Sequence, residues 1–180
     1  DIKTNLDFSE AGGILRMAEK CNGTGLCRKT HISGGTMCPS YMATKDEKHT
    51  TRGRANILRD VLTNSKKANK FDSEEIKEVL ELCLGCKGCK SDCPSNVDVG
   101  AMKSEFLQQY YEIHGPSFAS KMIANVADAN KLFSKIPGIY NLFSRAPIAK
   151  DIIKGLMNIA AERELPALYK TTLRTWFKKN

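Results

Sequence analysis

Apolar residues recur every three or four positions along most of the chain, the period of amphipathic helices, and no stretch alternates apolar and polar like a half-buried strand. The spacing predicts a short helix from about Ser9 to Lys20, with Ile14, Leu15 and Ala18 on its apolar side. Ala55, Leu58, Val61 and Leu62 mark a second over about Thr51 to Asn64, with Thr50 or Thr51 as its cap. After the polar linker TNSKKANK, Asp72 with Glu75 reads as the capping box of a third helix, flanked by a Phe71–Ile76 hydrophobic staple. Its apolar face, Ile76, Val79, Leu80 and Cys83, puts Cys83 on the buried side at the helix end. Asp98 caps a fourth helix bearing Met102, Phe106, Tyr110 and Ile113, which Gly115 and Pro116 terminate. Helical spacing continues over 117–135, roughly 139–145 and 147–163, broken at Pro137, Pro147 and Pro166, and Met122, Phe133, Phe143 and Met157 read there as core or inter-helix packing. The expected fold class is all-α. A first domain spans 1–115, and a helical extension over 116–180 packs on it or on a neighbouring domain.

One segment escapes this period. Cys21 to Tyr41 is glycine-rich and irregular, so something other than its own core must order it, and a bound cofactor would do so. With 41% hydrophobic and 27% charged residues, the composition is that of an ordinary globular chain. No apolar run reaches the ~18 residues of a membrane helix, and the opening DIKTNLDFSE lacks the build of a secretory signal. A cytoplasmic protein is expected, at most peripheral to the inner membrane face. The net charge of +8 invites a nucleic-acid reading, but the lysines and arginines are scattered and no nucleic-acid-binding motif accompanies them, so no nucleic-acid partner is expected. The densest groups, Arg52/Arg54/Arg59, Lys66/Lys67/Lys70 and Lys178/Lys179, read as a solvated face or as a docking patch for an acidic protein.

The seven cysteines change the picture most. Seven is odd, and four fall within eleven residues, which suits metal ligation by reduced thiolates rather than a disulfide framework. Residues 83–94, CLGCKGCKSDCP, are the Cys-x2-Cys-x2-Cys-x3-Cys-Pro run of bacterial-type ferredoxins, in which the displaced fourth cysteine serves the other cluster. A partner motif precedes it: Cys21, Thr24 and Cys27 stand at the same spacing, and Cys38-Pro39 follows after an insertion. Under the exchange rule Cys83, Cys86, Cys89 and Cys38 make a full set for a [4Fe–4S] cluster. Cys21, Cys27 and Cys93 offer three thiolates, with Thr24 where the fourth would stand, and a hydroxyl is a far poorer iron ligand. Three thiolates suit a [3Fe–4S] cluster. The alternative is a [4Fe–4S] cluster whose fourth iron carries water or a replacement, with His31 nearest in sequence; His49 and His114 have weaker claims. Structural zinc is the competing use of Cys-x2-Cys pairs, yet this spacing crowds too many thiolates for tetrahedral sites. Gly23, Gly25, Gly85 and Gly88 interleave the cysteines and let backbone N–H groups turn toward sulfur.

The cluster core, Cys21-x5-Cys27 with Cys-Pro after each group, resembles the helical ferredoxin (dicluster) domain of succinate dehydrogenase and fumarate reductase iron–sulfur subunits, with the motif order reversed. That domain is shared with heterodisulfide-reductase-like and glycerol-3-phosphate dehydrogenase-like electron-transfer subunits. FSEAGGILRMAEKCNGTGLCRK and GTMCPSYMATKDEKHTTRGRANILR resemble more closely the iron–sulfur part of fused FAD-linked oxidases of the D-lactate, glycolate and D-2-hydroxyglutarate dehydrogenase type. The resemblance covers about residues 5–115. It implies a helical ferredoxin core with a C-terminal helical extension that passes electrons from reduced flavin, formed as a 2-hydroxy acid is oxidised, to a downstream acceptor. FAD would lie in a domain or subunit outside this chain, which has no Gly-rich FAD fingerprint, no catalytic residue and no substrate site of its own. A cysteine-rich domain, a quinone or another electron carrier would stand downstream. Arg52, Gly53, Arg54 and the basic linker are the stretch expected to meet an acidic flavin domain, if any does. A free-standing iron–sulfur subunit of a quinone-linked dehydrogenase and a structural zinc-binding interaction module are the alternative readings.

Overall fold

The computed structural model describes residues 2–179, and all regular structure among them is helical. The chain divides into two compact units, Asp1–Gly115 and Pro116–Asn180.

In the first unit the expected opening helix is interrupted. Ser9–Ala11 makes one 3₁₀ turn and α1 runs only over Ile14–Glu19, because Gly12 and Gly13 between them take φ of +79° and +108°, which no helix accommodates. The irregular segment that follows contains two further 3₁₀ turns, at Leu26–Arg28 and His31–Ser33, and ends in α2, Pro39–Thr44. The long helix α3, Thr51–Asn64, is capped by Thr50, whose hydroxyl oxygen accepts from the Gly53 N–H at 2.8 Å. It buries Ala55, Leu58 and Leu62, and packs along α1. Each leucine so removed from water contributes about 1.5–3 kcal/mol.

Helix α4, Glu74–Glu81, is capped by Ser73, which accepts from the Ile76 N–H at 3.2 Å. The expected cap, Asp72, instead pairs with Lys67 and His114 at 3.0 and 2.8 Å. Since α4 ends two residues before Cys83, that cysteine lies in the following loop, half-buried, rather than on the helix's buried face. A short α5, Gly88–Asp92, leads to α6, Val99–His114, which Asp98 caps through the Ala101 N–H at 2.8 Å. Met102, Phe106 and Tyr110 on α6 close the core over α3 and α4.

Two buried charges in this unit were not foreseen. Glu105 of α6 accepts from the N–H groups of Asn5 and Leu6, at 3.0 and 2.8 Å, and anchors the N-terminal segment. Arg54, 2% exposed, donates to the Val79 carbonyl at 2.8 Å and to Ser40 Oγ at 2.9 Å, joining α3, α4 and α2. Both satisfy the rule that a buried charge must be hydrogen-bonded.

The second unit holds α7 (Phe118–Ala124), α8 (Val126–Phe133), α9 (Pro137–Arg145), α10 (Pro147–Leu156) and α11 (Leu173–Lys179). Its apolar positions do not form the expected core throughout. Met157 is half-buried, but Met122, Phe143 and Phe133 are exposed, the last with its ring 5.7 Å from that of Tyr140. The buried side chains here are polar: Ser144 and Lys154.

Candidate metal centres

The Cys83–Cys93 run is held from both ends. Lys103 of α6 donates to the Leu80 carbonyl at 2.8 Å and to the Cys83 carbonyl at 2.5 Å, tying off the open end of α4. Burial holds this ammonium below the usual lysine range. Further along, Lys87 adopts a left-handed φ of +62° and reaches the Asp98 carboxylate at 3.1 Å. Asp98 therefore caps α6 and fixes the Cys86–Cys89 loop against it. Burial pushes the Cys89 thiol up, opposed by hydrogen bonds from the Gly100 and Val99 N–H groups at the start of the same helix.

Two contacts tie this run to the earlier motif. Asp92 accepts from the N–H groups of Thr36 and Met37 at 2.9 and 3.2 Å, and these donors hold its carboxyl below the usual carboxylate range. Gly88 lies so close to Thr36 that a Cβ there would stand 3.3 Å from the Thr36 backbone. The next residue but one, Cys38, is left-handed at φ +57° before Pro39 opens α2. Its sulfur sits at the start of α3, 3.0 Å from both the N–H and the hydroxyl of Thr51. Burial pushes the Cys38 thiol up to about 11, with the Thr51 contacts acting against it.

The result is two cavities. The first, partly open to solvent, is lined by Cys38, Cys83, Cys86 and Cys89, with Thr51, Arg54 and Gly85. The second is lined by Cys21, Cys27 and Cys93, with Thr24, Met37, Thr51 and Arg52. Each thus collects sulfur from both motifs. Among the described residues no three His, Cys, Asp or Glu side chains converge on the point where one ion would sit. The thiols instead line two shared spaces. Four soft donors around one space and three around the other fit iron–sulfur clusters as to chemistry.

Thr24 lines the second cavity, with its hydroxyl donating to Asn22 Oδ1 at 2.8 Å. His31 lines neither cavity; His49 is buried against Thr44 Oγ1 at 2.8 Å, and His114 binds Asp72. Of the Arg52–Arg54 stretch expected to meet a partner, one side chain is unavailable and the other is engaged within the chain. Arg54 is buried in the wall of the first cavity, and Arg52, in the second, is bound to Glu47 at 2.7 Å. Thr51 carries no sequence signal for its role: a second threonine beside a helix cap gives no sign that it borders both cavities.

Residues 20–98, within the first unit, match the family model of the 4Fe-4S dicluster domain. Among curated proteins the chain is 30% identical over 193 residues to D-2-hydroxyglutarate dehydrogenase of Pantoea ananatis, a match covering 88% of this chain and 18% of the relative. It is 29% identical over 171 residues to the Escherichia coli protein of the same name, covering 76% of this chain and 17% of the relative. The Haemophilus influenzae enzyme of that name is 24% identical, with 87% and 18% covered. The chain thus spans less than a fifth of the length of the curated relatives it matches. No solved structure matches it.

Proposed function

We propose that this chain is the electron-relay segment of an FAD-linked 2-hydroxyacid dehydrogenase, carrying electrons singly from reduced flavin through two iron–sulfur clusters to a downstream acceptor. The observation that carries the reading is the pairing of the cysteines: each cavity takes thiols from both motifs, Cys38 joining Cys83, Cys86 and Cys89, and Cys93 joining Cys21 and Cys27. A single zinc ion draws its ligands to one point, and these thiols do not converge so.

In this reading the first set binds a [4Fe–4S] cluster and the second a [3Fe–4S] cluster, or a [4Fe–4S] cluster whose fourth iron is bound by water or another group beside Thr24. The clusters supply one-electron redox chemistry that converts a flavin's electron pair into single transfers. The chain's own residues set the terms. Thr51 directs its N–H and hydroxyl at Cys38, the Gly100 and Val99 N–H groups face Cys89, and Arg54 and Arg52 place positive charge in the two cavity walls. Each stabilises the more negative, reduced state. The name of the relatives makes D-2-hydroxyglutarate the first substrate to test in the parent enzyme; flavin is the proposed donor, as the sequence resemblance to FAD-linked oxidases implies. A quinone or a cysteine-rich domain is the proposed acceptor, and the cytoplasm the proposed compartment.

Iron and acid-labile sulfide per chain, measured on anaerobically purified protein together with EPR of the oxidised and dithionite-reduced states, test the assignment. About seven irons and an oxidised-state signal lost on reduction support one three-iron and one four-iron cluster. About eight irons, with signals only after reduction, support two four-iron clusters. Stoichiometric zinc without iron after anaerobic reconstitution overturns the electron-transfer reading in favour of a structural zinc module.

A further inference from the structure

The two cavities differ in how donors reach their sulfurs. In the first, the Thr51 hydroxyl and N–H meet Cys38, and N–H groups at the start of α6 face Cys89. In the second, the Thr24 hydroxyl is spent on Asn22 Oδ1 at 2.8 Å, and Arg52 is the only basic side chain among the described lining residues. The way Arg52 is held leaves it able to serve. Its Nε donates to Glu47 Oε1 at 2.7 Å, while neither Nη has a hydrogen-bond partner among the described residues. Nη1 lies 3.9 Å from where a Cβ on Gly25, another wall residue, would stand. Glu47 itself is pinned on several sides. Its second oxygen pairs with Arg28 Nε at 3.1 Å, Oε1 also accepts from the Thr50 hydroxyl at 3.3 Å, and its backbone carbonyl accepts from the same hydroxyl at 2.8 Å. Gly53, without a Cβ, lets that carbonyl lie against the first turn of α3. Arg28 ends the 3₁₀ turn that carries Cys27, so one carboxylate joins the Cys27 turn to the start of α3.

We propose that Glu47 is a positioning residue for the second cavity: it grips Arg52 by Nε and so presents the two Nη groups to the anionic, thiolate-bound group that Cys21, Cys27 and Cys93 would hold. The proposal rests on the iron–sulfur reading of that cavity and adds to it a side chain from outside the lining. Ion pairs this exposed, with 29% of the Arg52 and 42% of the Glu47 side chain open to solvent, contribute little to stability, so the worth of the clamp is orientation rather than folding. A guanidinium suits the task because its donors form a rigid fork, of which one side can be fixed while the other stays available; an ammonium cannot be divided in this way. Charge-assisted hydrogen bonds from the available side stabilise the reduced, more negative state of such a group more than the oxidised one, and so raise its midpoint potential. An arginine left to sweep through water would spread the same charge over many positions, where solvent and salt screen it.

The test is an EPR-monitored redox titration of the full chain that follows both clusters, with iron and acid-labile sulfide counted first on every sample. Arg52→Gln should lower the reduced-to-oxidised ratio of the second cluster at a fixed potential about tenfold, ~59 mV for one electron, and move the first cluster less than about threefold. In a Glu47→Ala background the same Arg52→Gln change should move the second cluster less than about threefold, because the guanidinium is no longer held there; comparing the two backgrounds cancels the direct effect of the Glu47 charge. Arg52→Lys, which keeps the charge without the fork, should recover less than about half of the shift. No shift at the second cluster, an equal shift at both, or full recovery by lysine overturns the donor role of Arg52. A tenfold shift that persists in the Glu47→Ala background overturns the positioning role of Glu47. Iron lost from Arg52→Gln, with Arg52→Lys at the wild-type potential, assigns the arginine to cluster retention and also overturns the proposal. Absence of iron from the wild-type chain would sink the iron–sulfur reading itself, so the two failures are distinguishable.

Discussion

Replacing Thr51 with valine tests whether the start of α3 sets the potential of the group held in the first cavity. The shape of the side chain is retained, the backbone N–H still reaches Cys38 Sγ at 3.0 Å, and only the hydroxyl contact at the same distance is lost. A hydrogen bond to a charged acceptor contributes about 1.5–3 kcal/mol. In the proposed four-iron cluster one added electron would be shared among four irons and their sulfurs, so about a quarter of that, ~0.5 kcal/mol, would separate the reduced from the oxidised state. At ~59 mV for each tenfold change in a one-electron equilibrium, ~1.4 kcal/mol, the loss lowers the midpoint potential by about 20 mV. The sign follows because the donor favours the more negative state. The assay is an EPR-monitored redox titration of wild type, Thr51→Val and Thr51→Ser at equal iron content. Serine, which keeps the hydroxyl, should stay near the wild-type potential. An unchanged or raised potential in the valine variant, with iron content intact, would refute the reasoning.

Other perturbations probe the scaffold. Burial acts to raise the Glu105 carboxyl, but donors from Gln109, Asn5 and Leu6 outweigh it, and the net shift is downward from 4.5. A carboxyl lowered by folding contributes stability above its unfolded value that disappears as pH falls through the folded one. The gap in urea midpoint between wild type and Glu105→Gln should therefore be constant above pH 5.5 and narrow below about pH 4.5; a gap indifferent to pH would contradict this. At Gly53 an added Cβ would collide with the Glu47 carbonyl oxygen and stand 3.0 Å from Lys48 Cα, so Gly53→Ala should cost about 1–3 kcal/mol in chemical unfolding despite alanine's better helix propensity. Thr24→Cys supplies a fourth thiol to the second cavity and should raise the iron count by about one while removing any oxidised-state three-iron EPR signal; an unchanged count would mean that another group already completes that cluster.

The longer helices of the first unit, α3, α4 and α6, are legible from spacing alone, while the short α2 and α5 are not, because period and cap are local properties that need several turns to show: Thr50, one of two candidate threonines, caps α3 and Asp98 caps α6. Where two caps compete, local reading falters. Asp72 and Ser73 both qualify, and the choice depends on His114, 42 residues away, which holds Asp72 elsewhere. The gap between Ser9–Ala11 and α1 is a failure of another kind, since a pair of glycines permits a helix without requiring one. The grouping of thiols around the two cavities was also accessible from sequence, because three-residue steps along a tight loop bring successive sulfurs to one space and a Cys-Pro turn sends the fourth away.

What the sequence could not decide is how distant charges are shared. Arg54 looks like one of several surface arginines until α4 presents the Val79 carbonyl to it, and Asp92 like a solvated acid until the backbone of Thr36 and Met37 folds against it. The second unit is the clearest case. Its period gives α9 and the start of α10, which ends at Leu156 rather than at 163, but period says only that a helix has two faces. Which face turns inward depends on polar partners supplied from elsewhere in the chain, the Ala161 carbonyl for Lys154 and the Leu168 backbone for Asn141, and they draw the polar side in and leave the apolar side to the surroundings.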